Sequence, residues 1–94
     1  MTTEIQFDGR AIEGHLIPTG NTKILLLKTS RGFLGCGYFS VETADKVGDA
    51  VAIVTGVGSF DDMLAAPVKK CSAAAAALGV TCGITGREAL KKLL

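Results

Sequence analysis

Three groups of residues in this 94-residue sequence are of types that do chemistry. The first is Cys36 within Gly35-Cys36-Gly37. A thiolate is a nucleophile when a base stands beside it. In an extended segment Gly35 and Gly37 face one side, and Cys36 faces the other. Two glycines on one face leave a trough that a ligand or another backbone can approach. A small buried thiol beside a packing groove fits the same pattern.

The second group is Gly56-Val57-Gly58-Ser59, followed by Asp61 and Asp62. An apolar run ends there, glycines free the backbone, and a helix is expected to start at Ser59. Free N–H groups and the helix dipole at such a junction favour an anion. The spacing is neither a Walker loop nor a GxGxxG fingerprint. Asp61 and Asp62 would repel a phosphate unless a cation intervened, and either could itself serve as an acid, a base or a metal carboxylate. A capped helix start with acidic residues in its first turn accounts for them equally.

The third is His15, the single histidine. It shares a strand face with Glu13 and Ile17, because residues two apart point the same way. Glu13 could orient the imidazole for proton transfer, although the polar solvent face of a sheet explains the pair as well. A Cys36–His15 dyad requires two strands to present these residues to one face. The candidate set is therefore Cys36, Asp61, Asp62 and His15 as catalytic groups, and Gly37, Tyr38, Gly56, Gly58 and Ser59 as ligand contacts. No metal site and no cofactor motif is identified. Cys36, Cys71 and Cys82 form an odd count without CxxC spacing, which suits reduced thiols in a cytoplasmic protein.

The elements that must position these residues fall into two halves. Ile5 and Phe7 alternate with polar neighbours and stop at Asp8-Gly9, a hairpin turn signal. A second strand is expected from about Arg10 to Ile17, and a third over Lys23–Thr29. The run Ile24–Leu27 suits a strand covered on both faces. A fourth is expected over Phe33–Phe39, completing an antiparallel meander of about four strands. Ser40 then caps a helix with Val41, Ala44 and Val47 on one side, ending near Gly48. Ala50–Thr55 reads as a buried strand, so strand, helix and strand make a βαβ-like unit. C-terminal helices follow from Ser59, from Pro67 to Leu78, and from a Thr85–Glu88 capping box. In the second of these, Val68, Cys71, Ala75 and Leu78 form an apolar stripe. In the last, Leu90, Leu93 and Leu94 face inward, with Arg87, Lys91 and Lys92 outward. Arg87 sits where the helix dipole disfavours a cation, which points to a partner such as a neighbour's carboxylate. Cys71 reads as core and Cys82 as the more exposed thiol. The fold class is α+β, a single domain over residues 1–94 with the C-terminal helices packed on the sheet.

Composition adds a constraint. Hydrophobic residues make up 48% of the chain, charged residues only 20%, and mean hydropathy is +0.40. A domain of this size buries only about 60–65% of its unfolded surface. Its apolar residues therefore exceed the places to hide them in a monomer, and a homo-oligomer is expected. Many of these residues are alanines, which tolerate exposure. A net charge of +1, sparse aromatics and scattered basic residues exclude a nucleic-acid footprint. No apolar run approaches the roughly 20 residues needed to span a bilayer, and Met1–Phe7 does not read as a signal peptide.

Four strings occur together: Cys36-Gly37-Tyr38-Phe39, Gly48-Asp49-Ala50, Val54-Thr55-Gly56-Val57 with Phe60-Asp61-Asp62-Met63-Leu64, and Gly86-Arg87-Glu88-Ala89-Leu90. In combination, over nearly the whole chain, they resemble the YunC-like family, small bacterial and archaeal proteins of a domain-of-unknown-function class. Relatives tend to carry Asn where Ser40 stands, a mild exchange of one N-cap residue for another. The resemblance implies a compact α+β domain and transfers no catalytic role. Its matched positions include Cys36, Gly37, Tyr38, Gly56, Asp61 and Asp62. The leading functional expectation is a non-catalytic or regulatory binder of a small molecule, an anion by the second group above, that assembles as a homo-oligomer through its apolar helices. The alternatives are a small hydrolase or transferase acting on an anionic substrate through Cys36 and Asp61 or Asp62, and a protein-interaction scaffold.

Overall fold

The computed structural model describes every residue from Met1 to Leu94. Asp8 and Gly9 both adopt left-handed backbone angles, φ 52° and 79°, which a two-residue hairpin turn of this twist requires. They join β1 (Thr2–Phe7) to β2 (Arg10–Pro18), with Phe7 paired to Arg10. The turn after Pro18 leads into β3 (Lys23–Lys28), antiparallel to β2, and β4 (Gly32–Gly35) is antiparallel to β3. The expected meander is present. Helix α1 (Val41–Val47) then carries the chain to β5 (Ala50–Ile53), which pairs parallel with β4. The α1 start is capped by Ser40, whose hydroxyl accepts from the Thr43 N–H at 3.2 Å.

Helix α2 (Phe60–Ala65), strand β6 (Lys70–Cys71), helix α3 (Ala73–Ala77) and helix α4 (Gly86–Leu93) complete the chain. The six strands lie in sequence order, with β6 antiparallel to β5. The expected helix over Pro67–Leu78 is therefore a correction. Its first half is extended: Lys69 N–H donates to Ile53 O at 2.8 Å and Ser72 N–H to Val51 O at 2.9 Å. β5 is buried at all four residues, so an unpaired edge there would leave backbone groups without partners. Pairing with β6 meets that demand, and local helix propensity yields to it. Only after Ser72 does the alanine run become helical, so Val68 and Cys71 lie on no helical stripe.

The main core lies on one face of the sheet. Leu25, Leu27 and Leu34 meet Met63, Leu90 and Leu93 there, all at most 1% exposed. A smaller cluster of Ala44, Val51 and Ile53, with Phe33, Phe39 and Val41 packed against it, fills the opposite face beneath α1. Leu90 and Leu93 point inward while Arg87, Lys91 and Lys92 are exposed, as the α4 pattern requires. The reciprocal capping box of Thr85 and Glu88 is formed. The last turn is tied back by Arg31, which donates to Leu94 O and Lys92 O, each at 2.7 Å.

Candidate functional site

β4 and β5 are the only parallel neighbours in the sheet, and both end at the same rim. β4 stops at Gly35 because Cys36–Ser40 turns: Cys36 N–H donates to Leu25 O at 3.1 Å, and Phe39 N–H to Cys36 O at 3.2 Å. The expected continuation of this strand to Phe39 is thus corrected, and so is the expected trough. The Phe39 ring lies over Gly35, where a β-carbon would come within 2.6 Å of it. Gly37 instead faces the Thr55 methyl across the rim.

The turn after β4 and the loop after β5 border an open cleft of about 330 Å³, lined by Thr22, Lys23, Cys36, Gly37, Tyr38, Gly56 and Val57. Four of the residues singled out in the sequence therefore converge: Cys36, Gly37, Tyr38 and Gly56. Cys36 is only 5% exposed, and its sulfur accepts the Leu25 N–H at 3.4 Å. Tyr38 is 57% exposed at the mouth. Thr22 and Lys23 are not legible as site residues, because they arrive from the end of the β2–β3 turn and the first residue of β3 by tertiary folding alone. No carboxylate lines the cleft, and Lys23 is its one cation. Gly37 also borders a smaller depression of about 140 Å³ that includes Glu42 and Lys70. Hydrogen bonds from the backbone N–H and from the Ser40 hydroxyl, with the Lys70 ammonium nearby, hold the Glu42 carboxyl below the ordinary glutamate range.

The remaining candidates lie elsewhere. Ser59 caps α2 by accepting the Asp62 N–H at 3.1 Å, and the Asp62 carboxylate accepts the Gly58 N–H at 3.0 Å. Gly58, Ser59 and Asp62 are thus bound to one another in a helix cap. Ser59 and Asp61 line a separate, mostly apolar groove of about 320 Å³ with Ile5, Phe7, Phe60 and Leu64. Arg87 finds no carboxylate; its guanidinium stands 5.7 Å from the centroid of the Phe7 ring, a cation–π contact.

His15 does not meet Cys36. It pairs with Leu26, on the face opposite Leu25 and Leu27, and Cys36 packs with those two. The expected Glu13 contact is present, with His15 Nε2 at 3.0 Å from Glu13 Oε1. Thr2, not anticipated, completes a chain by placing its hydroxyl 3.1 Å from His15 Nδ1. No cleft accompanies this chain of three groups on the exposed side of the sheet. Cys71 is part-buried on β6 and Cys82 is exposed. Burial, and then the adjacent Cys82 thiol, push the Cys71 thiol above its ordinary range.

Comparison with known proteins supplies a family. The chain is 28% identical to the uncharacterized protein YunC of Bacillus subtilis, over 98% of this chain and 95% of that one. It is similar to a crystal structure of the protein of unknown function TA1206 from Thermoplasma acidophilum. That similarity has a TM-score of 0.95 at 35% identity and covers all of this chain and 92% of the other. The family model described as "Domain of unknown function (DUF1805)" matches residues 35–93, a span that runs from the last residue of β4 through α4, so the chain belongs to the DUF1805 family.

Proposed function

We propose that this chain is a small-molecule-binding domain that takes a small anion at the carboxyl ends of the β4–β5 pair. One observation carries the reading: the cleft at that rim holds Lys23 and no acidic side chain. In sheets with parallel strands, ligands gather outside the carboxyl ends, where loops diverge and backbone groups are free. The cleft volume of about 330 Å³ suits a metabolite-sized molecule. Lys23 supplies the counter-charge, and the Tyr38 hydroxyl supplies a donor at the mouth. An enzymatic reading of the same cleft rests on Cys36. It is weakened by the lining, which offers no histidine or carboxylate as base, and by Asp61 lying in a different groove.

The test is a thermal-shift panel of inorganic phosphate, a nucleoside monophosphate and small dicarboxylates. A ligand at about 100 times its Kd stabilises by roughly 2.7 kcal/mol, a readily measured rise in Tm. The shift should vanish in Lys23→Ala and persist in Lys69→Ala. Equal shifts in both variants would remove the cleft from the account.

Self-association belongs to the same proposal. Ile17 is 53% exposed and Val47 67% exposed, and Ile17 pairs with the half-buried Ile24 of β3. Sedimentation at micromolar concentration should give a species larger than the monomer, and Ile17→Lys should reduce it. A clean monomer would end this part of the proposal.

A further inference from the structure

Cys71 and Cys82 stand on chain segments that run side by side. Val68 N–H donates to Ile84 O at 2.8 Å, Gly83 N–H donates to Val68 O at 2.9 Å, and Pro67 bridges Thr85. Each thiol reaches across this pairing. The Cys82 thiol donates to Lys69 O at 3.3 Å, two residues before Cys71. The Cys71 thiol lies 3.7 Å from Val80 O, two residues before Cys82. Each cysteine thus contacts the backbone two residues before the other, and the Cys82 thiol is close enough to act on the Cys71 thiol directly; a disulfide forms between such neighbours when their α-carbons lie within about 7 Å.

We propose that Cys71 and Cys82 are a reversible modification site that closes to a disulfide by exchange with a low-molecular-weight disulfide, Cys82 reacting first. The order follows from access: Cys82 is exposed, whereas Cys71 is part-buried. Burial also raises the Cys71 thiol above its ordinary range, so less of it is thiolate and it is the slower of the two to attack an external disulfide. In the first step the Cys82 thiolate attacks one sulfur of RSSR. A Cys82–SR bond forms, the S–S bond of the reagent breaks, and RS⁻ leaves. In the second, Cys71 gives its proton to water and attacks Cys82 Sγ, expelling a second RS⁻. Two protein thiols are oxidised, and one RSSR is reduced to two RSH. The product ties β6 to the loop between α3 and α4. Cys36, just past the end of β4 and only 5% exposed, takes no part.

The experiment uses the full chain with excess oxidised glutathione at neutral pH, followed by acid quench, alkylation and mass spectrometry. The expected product carries one alkyl group, on Cys36, where the reduced protein carries three, and it yields a Cys71–Cys82 cross-linked peptide; before alkylation it is lighter than the reduced protein by two hydrogens. Cys71→Ser should stop at a glutathione adduct on Cys82, and Cys82→Ser should slow adduct formation by on the order of tenfold or more. A wild-type protein that accumulates the Cys82 adduct without closing the ring would overturn the proposal. So would a protein in which both thiols remain alkylatable.

Discussion

The α-carbon of Gly86 lies against the carbonyl of Met63, so close that a β-carbon at Gly86 would overlap the Met63 oxygen. Gly86 opens α4, and Met63 lies within α2; the contact sets how near the two helices approach above the sheet. Gly86→Ala should therefore destabilise by about 3 kcal/mol, because backbone rather than a mobile side chain must yield. Gly20→Ala, with nothing within 4 Å of the added carbon, should change stability by less than about 0.5 kcal/mol. Urea unfolding midpoints of the two variants check this. Similar losses at both positions would show that the helix contact is loose.

Ser72 is fully buried, and its hydroxyl satisfies groups from two elements. It donates to Asp49 O at 2.7 Å and accepts Val51 N–H at 2.9 Å, while also capping α3 through Ala75 N–H at 3.3 Å. Ser72→Ala leaves a buried donor unpaired and removes the cap. A loss of about 3 kcal/mol is expected. Hydrogen exchange should locate the weakened region at β6 and α3, and faster exchange confined to β1 would contradict this account.

The thiols differ in access in a way a reagent can read. A small aromatic disulfide should modify Cys82 on the order of tenfold or more faster than Cys36, which is walled in by Leu25 and the rim of the cleft. A ligand held by Lys23 should slow Cys36 further and leave Cys82 unchanged. Equal rates at the two cysteines would mean that the cleft opens freely.

Glu42 gives a pH dependence with a definite sign. Its carboxyl is held below the ordinary range in the fold, by hydrogen bonds from its backbone and Ser40 and by Lys70. The charged form is thus favoured by folding. The contribution is complete above the ordinary glutamate range and is lost as pH falls through the lowered value. Carboxyl NMR titration should find the Glu42 midpoint below the ordinary glutamate range, and Lys70→Ala should raise it. A Glu42 midpoint at the ordinary value would remove this term.

Most elements were legible where local chemistry agrees with the final packing. The Asp8-Gly9 turn, the Ser40, Ser59 and Thr85 caps, and the inward Leu90 and Leu93 of α4 all follow from residue types at fixed spacing. Pro67–Cys71 carries a helical pattern yet folds extended, because the demand that overrides its propensity comes from the open edge of β5, a distant element. β4 ends early because the Cys36–Ser40 turn folds Phe39 back over Gly35, a contact that alternation cannot reveal.

By itself, the sequence determined the α+β class, the meander, the parallel β4–β5 connection and the motif positions around Cys36 and Gly56, since each depends on neighbours a few residues apart. Tertiary structure alone decided that Lys23 joins Cys36 in one cleft, that His15 turns to the other face, and that Cys71 meets Cys82. Those outcomes depend on strand register and loop approach. Strand parity, a shift of one residue, decides which face a side chain takes, and no local pattern encodes the meeting of segments far apart in the chain.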